Sequence, residues 1–469
     1  MNKNMPASSN RPNIIHILVD DLGYGDFSCF NGGLNETPCL DQFIGESICL
    51  SQHYTASPVC SPSRAALLTG RYPHRTGTID TMEWRGLERL DLRETTLADC
   101  LRSAGYRTGL IGKWHLGAFD PRYKPEHRGF DEAVCFRGGM HDYYDWRIEY
   151  GDRVECADGR YLTDLWTDEA IDFLKRETER PFFLHLTYNA PHSPLQAPEE
   201  DRAPFADRED LNEAVKTLYA MVRNLDRNIG RLLETVDRLK LRDNTLIIFS
   251  SDNGPQFGDD EGGSLDRFNC NLHGSKGSTY EGGIRVPAIV RWPDGLDPAC
   301  AKTDAFFHMS DWFPTLLSLA GIECPTHLKL DGIDQSNILR GEPSPHNPAR
   351  AWQWNRYTPR LEYNAALRDG DWKLVRPYVP EAFHVPDIQW LEVCMYQPEH
   401  FIKNGIITDP DPEVQLPPPP PLELYNLADD PGETNNLAAA HPDRLRRLEN
   451  QLHHWFEDVT RDLARTRRD

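Results

Sequence analysis

Two kinds of apolar pattern alternate along the chain. Short, nearly continuous runs at Ile14 to Val19, Tyr106 to Ile111, Pro181 to Tyr188 and Thr245 to Phe249 have the length and composition of strands covered on both faces. Between them lie stretches with a step of three to four residues. The clearest is Asn212 to Lys240, where Leu218, Met221, Val222, Leu225, Ile229, Leu232, Leu233 and Val236 share one helical stripe. Shorter helices are predicted at Pro38 to Ser47, Leu162 to Arg176 and Asp311 to Ala320, and after a Thr96-x-x-Asp99 capping box that leads to Gly105. Strands alternating with helices predict an α/β fold.

Elsewhere the pattern breaks. Residues 120–160 are rich in Arg, Tyr, Asp and Gly without a sustained period, and read as an excursion from the sheet. Within them Arg137, His141, Tyr143, Tyr144 and Trp146 mix hydrogen-bond donors with flat apolar faces, the makings of a sugar or aryl pocket. A proline- and glycine-containing passage around 341–350 predicts a boundary between a catalytic domain, 1–345, and a C-terminal subdomain, 346–469. That second part carries a hairpin pattern, Leu367 to Val375, with its turn at Asp369-Gly370, and a strand-like Leu422 to Leu427. Five prolines at 417–421 predict a stiff connector, and Leu445, Leu448, Leu452, Trp455 and Phe456 line one face of a closing helix. Trp352, Trp354, Arg356 and Tyr357 would meet substrate if this subdomain leans over the site.

Composition narrows the class. With 469 residues and 39% hydrophobic content the chain can bury a large core, and a net charge of -22 argues against wholesale binding to nucleic acid or acidic lipid. Any anionic substrate then needs a local basic pocket. The polar N-terminal stretch and the short Ile14 to Val19 run show no export signal or membrane span, and eleven cysteines without a CxxC pair read as reduced thiols. A cytoplasmic location is therefore expected, or a periplasmic or secreted one if a leader has been trimmed.

The chemistry gathers where strands end. The first strand runs into Asp20-Asp21, which can reach one ion only if the chain turns, as Leu22-Gly23-Tyr24-Gly25 permits. The strand at 245–249 ends in Ser250-Ser251-Asp252-Asn253-Gly254. These donors are all hard oxygens, which suits Ca²⁺ or Mg²⁺ rather than zinc. Lys113 and His115 follow the strand at 106–111 and would face one side of an extended chain; His192 lies just past the strand at 181–188. Between them, Cys60-Ser61-Pro62-Ser63-Arg64 reads as a loop feeding a helix, with Cys60 near unsatisfied N–H groups and Arg64 one turn on. A thiolate nucleophile is one reading.

Cys60-x-Pro-x-Arg64, continued by Ala-Ala-Leu-Leu-Thr-Gly-Arg, resembles the motif of the type I sulfatases of the alkaline phosphatase superfamily. Gly-Lys113-Trp-His115-Leu-Gly, Ala-Pro-His192, Ser-Asp252-Asn253-Gly and Lys276-Gly-Ser-Thr-Tyr-Glu281-Gly-Gly-Ile-Arg285-Val-Pro resemble the family's other elements, in its order. The resemblance implies a large mixed β-sheet sandwiched by helices, with a smaller C-terminal α+β subdomain. It implies that Cys60 is oxidised to formylglycine by a formylglycine-generating enzyme. The aldehyde hydrate would attack sulfur, and a divalent cation, usually Ca²⁺, would be held by Asp20, Asp21, Asp252, Asn253 and the modified Cys60. Arg64, Lys113 and Lys276 would hold the sulfate, His115 would serve as elimination base, and His192 with Lys276 would protonate the leaving oxygen, the two histidine roles being interchangeable. Glu281 and Arg285 would fix their loop. Arg128-Gly129-Phe130-Asp131 and the aromatic-rich loops are similar to sulfatases of sulfated sugars, with Arg137, His141, Tyr143, Trp146 and Trp354 as candidate substrate contacts. The competing readings are a phosphodiesterase or phosphonate monoester hydrolase of the same superfamily and a catalytically silent sugar-binding relative.

Overall fold

The computed structural model describes residues 11–176, 179–260, 262–296, 302–342 and 348–466. The boundary expected at 345/346 and the N-terminal ten residues lie outside these. The strands in chain order are β1 Asn13–Val19, β2 Ile48–Tyr54, β3 Arg107–Lys113, β4 Glu132–Phe136, β5 Arg147–Tyr150, β6 Arg153–Cys156, β7 Phe182–Thr187 and β8 Thr245–Ser251. They continue as a short pair, β9 Asp259–Asp260 and β10 Gly263–Ser264, then β11 Ala288–Arg291, β12 Lys302–His308, β13 Arg350–Gln353, β14 Ala365–Asp369, β15 Trp372–Arg376 and β16 Glu423–Asn426. Ten of them form one mixed sheet in the order β12-β2-β11-β8-β1-β7-β3-β4-β5-β6.

Period-two alternation explains how the sheet is covered. In β1, Ile15, Ile17 and Val19 enter one apolar cluster, with the helices Leu162–Lys175 and Glu213–Arg238. Ile14 and Leu18 enter the other, with the helices Cys60–Thr69, Leu97–Ser103 and Trp312–Leu319. Helices therefore cover both faces, as the unbroken apolar run requires. The capping box forms as expected, Thr96 accepting from the Asp99 N–H while Asp99 accepts from that of Thr96.

Sheet order also places the chemistry. β8, β1, β7 and β3 are consecutive and parallel, so the segments after all four emerge at one edge. Ligand sites in open α/β sheets form at this edge.

Two sequence expectations need correction, and two strands were not foreseen. Residues 120–160 are not an excursion: β4, β5 and β6 complete the main sheet, and strands of four or five residues are too short to show a period. The hairpin turn is Gly370-Asp371 rather than Asp369-Gly370, since Asp369 still pairs with Trp372. β2 and β12, with mixed polar content, gave no strand signal.

The smaller antiparallel sheet has the order β13-β14-β15-β16. The helix Pro442–Thr466 lays Leu448 and Leu452 on it, and Asp462 reaches Arg75 at 2.7 Å. Among the described residues no helix is long and apolar enough to cross a membrane.

Candidate active site

Backbone geometry at the strand ends turns the key side chains inward. Asp21 takes φ 62°, the turn needed for two adjacent carboxylates to serve one region. His115 takes φ 54°, so Lys113 and His115 do not share one extended face. Lys113 Nζ reaches Asp20 Oδ2 at 2.5 Å, while His115 Nδ1 lies 3.3 Å from Cys60 Sγ. This corrects the extended-chain expectation and still brings both side chains to the site.

Cys60 opens the buried Cys60–Thr69 helix, whose N-terminal end faces the carboxyl edge of the sheet. One turn on, Arg64 donates from Nε to Asp252 Oδ2 at 2.9 Å and from Nη1 to the Lys113 carbonyl at 3.0 Å. Nη2 lies 2.8 Å from Asp252 Oδ2 but has no aligned partner among the described residues. Asn253 donates to Asp21 at 2.7 Å, and Lys276 pairs with Asp21 at 2.8 Å. His192 Nε2 is 3.8 Å from Asp21.

Asp20 Oδ1, Asp252 Oδ1 and Asn253 Oδ1 are buried without a hydrogen-bond partner among the described residues. Three orphaned oxygens in one place would be costly unless something binds them. Ligand atoms of Asp20, Cys60 and Asp252 lie within 4.8 Å of one another, as do those of Asp20, Asp21 and His192. The donors Asp20, Asp21, Asp252 and Asn253 thus fit a hard divalent cation, with residue 60 beside them.

The electrostatics point the same way. Burial raises Asp20, but the charges of Lys113, His192, Arg64 and Lys276 overcome it and hold the carboxyl below the usual range. Burial and the facing Asp20 push Asp252 well above that range. A divalent cation held by these carboxylates would relieve that opposition. Asp20, Asp21 and Asp252 balance Arg64, Lys113 and Lys276 in formal charge, so a bound cation leaves the site positive and suited to an anion. Burial and Lys113 lower His115 to about 3, and burial and Lys276 lower His192 to about 4. Both imidazoles are therefore neutral near pH 7.

The candidate substrate residues divide. Tyr143 and Trp146 are fully buried in the core, with no face open to a ligand. Tyr143 instead props the loop after β7, its hydroxyl donating to the carbonyls of Asn189 and His192, and Trp146 donates to the Arg160 carbonyl. Arg137, paired with Glu149, and His141, 2.8 Å from the Arg147 carbonyl, line a cavity of about 120 Å³ with Glu83 and Met140. Trp354 packs on Phe383 and against the Gly277 backbone next to Lys276. Glu281 is buried between Tyr54 and Lys373, and Arg285 donates to the Ser51 carbonyl.

Sequence reasoning missed Thr81 and Glu83. The Thr81 carbonyl lies 3.2 Å from His115 Nε2, and Glu83 Oε1 lies 4.0 Å from the same nitrogen. Neither belongs to a motif.

Fold and site together define an alkaline phosphatase-like α/β protein. Within that class the chain belongs to the sulfatase family, whose profile matches residues 12–322. It is 34% identical over 361 residues to the N-acetylgalactosamine-6-sulfatase of Canis lupus familiaris, covering 70% of this chain and 66% of that one. It is 29% identical over 524 residues to the N-acetylgalactosamine-6-O-sulfatase of Bacteroides thetaiotaomicron, covering 96% and 94%. The chain thus spans just under two thirds of the canine relative's length and nearly all of the bacterial one's. Among solved structures, Ps i-CgsB in complex with k-i-k-neocarrahexaose aligns with TM-score 0.78 and 30% identity, over 95% of this chain and 92% of that one.

Proposed function

We propose that this protein hydrolyses a sulfate ester of a carbohydrate. One observation carries the reading: Cys60, at a buried helix start, faces His115 Nδ1 at 3.3 Å and sits among the orphaned oxygens of Asp20 and Asp252. A thiol alone does not call for that surrounding. A cation-assisted oxygen nucleophile at residue 60 does.

Asp20, Asp21, Asp252, Asn253 and residue 60 would hold Ca²⁺, with Mg²⁺ as the alternative; a bound cation supplies Lewis acidity that favours an ionised oxygen. Conversion of Cys60 to formylglycine, by a formylglycine-generating enzyme, supplies a hydrated aldehyde in place of the thiol. The chain's own residues do the rest. Arg64, anchored through Nε and Nη1, can direct Nη2 at a sulfate oxygen, and Lys113 and Lys276 are held in place by Asp20 and Asp21. Such fixed charges favour the transition state without reorganising.

His115 carries its proton on Nε2, donated to the Thr81 carbonyl, so the Nδ1 lone pair is free to take a proton at residue 60. His192 donates from Nδ1 to the Ser193 carbonyl at 2.8 Å, so the neutral ring offers a lone pair at Nε2, near Asp21 and Lys276; to protonate the leaving oxygen it must first take up a proton there, from solvent or through Lys276. Arg137 and His141 are proposed to meet the sugar through the cavity they line. The relatives' names make a 6-O-sulfated N-acetylhexosamine the first substrate to try.

A side-by-side rate comparison on matched aryl sulfate and phosphate diesters, followed by sulfate release from the amino sugar, tests the reading. Faster sulfate ester cleavage is expected. A strong diester preference would replace it with the phosphodiesterase alternative.

A further inference from the structure

The carbonyl that fixes the His115 proton sits on a turn held from far along the chain. Arg356 donates from Nη1 to Asp80 Oδ1 at 2.9 Å and to Thr81 Oγ1 at 2.8 Å. The adjacent Tyr357 N–H donates to Asp80 Oδ2 at 2.9 Å, and the Tyr357 hydroxyl is tied to Asp387 at 2.7 Å. Asp80 is fully buried, and its Oδ1 also accepts the Thr81 N–H at 2.7 Å. The clasp therefore spans the Asp80-Thr81 peptide that leads to the carbonyl 3.2 Å from His115 Nε2.

The other side of the ring is closed as well. Glu83 Oε1 accepts the Gly139 N–H at 2.5 Å and stands 4.0 Å from His115 Nε2. A Cβ on Gly139 would lie 2.6 Å from that nitrogen, so the loop approaches the imidazole as only glycine allows. The ring cannot tilt away without moving one of these walls.

We propose that Arg356 is a positioning residue for His115: by clasping Asp80 and Thr81 it holds the Thr81 carbonyl against Nε2–H and so fixes the tautomer whose Nδ1 lone pair faces residue 60. The inference rests on the reading of His115 as a base in sulfate ester hydrolysis. A neutral imidazole has one donor and one acceptor nitrogen, and the partner of one sets the role of the other. Were the turn released, a fraction of the rings would carry the proton on Nδ1 and could not accept one there. Arg356 thus acts through the 80–81 turn rather than on substrate.

The experiment uses the full chain, matured at Cys60, as wild type, Arg356→Ala and Arg356→Lys. Imidazole ¹⁵N NMR of histidine-labelled protein reads the tautomer, with the His115 signals identified by their loss in His115→Ala. The wild type is expected to show a single Nε2–H form and Arg356→Ala a mixture, with kcat lowered about ten-fold and KM nearly unchanged. Lysine keeps the charge but lacks the planar fork, so Arg356→Lys should move the same way by less; it carries the test if the alanine variant does not fold. An unchanged tautomer, or a raised KM at unchanged kcat, would overturn the proposal and in the second case make Arg356 a substrate contact. A tautomer shift in a protein that releases no sulfate would overturn the sulfatase reading and leave the clasp standing.

Discussion

Lys113 Nζ and Asp20 Oδ2 stand 2.5 Å apart with both side chains fully buried. The pair joins the two halves of the proposed site, since Lys113 is proposed to hold the sulfate and Asp20 the cation. Neither charge has water to fall back on.

That pairing predicts an unequal response to Lys113→Ala. Removing one member of a buried pair typically costs about 3–5 kcal/mol because the partner is left uncompensated. Here a saturating divalent cation can restore part of the loss by supplying positive charge beside Asp20. Urea unfolding with Ca²⁺ and with chelator measures it: the penalty should be larger with chelator. Equal penalties would mean that Asp20 does not face the ion.

In the wild type, cation binding should stabilise the fold, because the orphaned oxygens of Asp20, Asp252 and Asn253 come together only in the native chain. A ligand at a hundred times its Kd adds about 2.7 kcal/mol. Thermal unfolding should show Tm rising with Ca²⁺, and Asp252→Asn should flatten that dependence. A Tm indifferent to chelation would contradict the assigned ligands.

The assignment of His192 to the leaving oxygen predicts sensitivity to the leaving group. His192→Ala should lower kcat/KM for an unactivated sugar sulfate by about 10²-fold or more, the usual scale of a general acid, and should affect an activated aryl sulfate far less. Equal losses on both esters would remove His192 from that role.

Away from the chemistry, His74 gives a pH signature. Burial lowers it to about 4 from an ordinary 6.5, and its Nε2 pairs with Gln353 at 2.9 Å. As pH falls from 6.5 toward 4 the unfolded chain takes up a proton that the folded chain refuses, so stability drops across that window. The contribution is about 3 kcal/mol, present above pH 6.5 and lost below about 4. Relative to the wild type, His74→Gln should gain stability as the pH is lowered through this range, as read from urea midpoints. A constant difference would mean that His74 titrates alike in both states.

The candidate residues at the strand ends were legible in the sequence because each follows an apolar run that could only be a buried strand. Asp20, Lys113, His192 and Asp252 all follow such runs, and parallel neighbours bring their ends to one edge. Tyr143 and Trp146 misled because an aromatic ring with a polar tip reads alike whether that tip meets a sugar or a backbone carbonyl. Their partners, the carbonyls of Asn189, His192 and Arg160, leave no trace in side-chain identity. Thr81 was hidden for the same reason, since it serves His115 through its carbonyl. The Arg356 clasp joins positions 276 residues apart, a pairing that no local pattern reports.

The most direct test is a peptide mass spectrum across Cys60 from protein made with and without the formylglycine-generating enzyme, paired with sulfate release from a 6-O-sulfated amino sugar. The account predicts an aldehyde at residue 60 that appears with that enzyme, and turnover that rises in proportion to its occupancy. Full activity in protein whose Cys60 remains a thiol would contradict it.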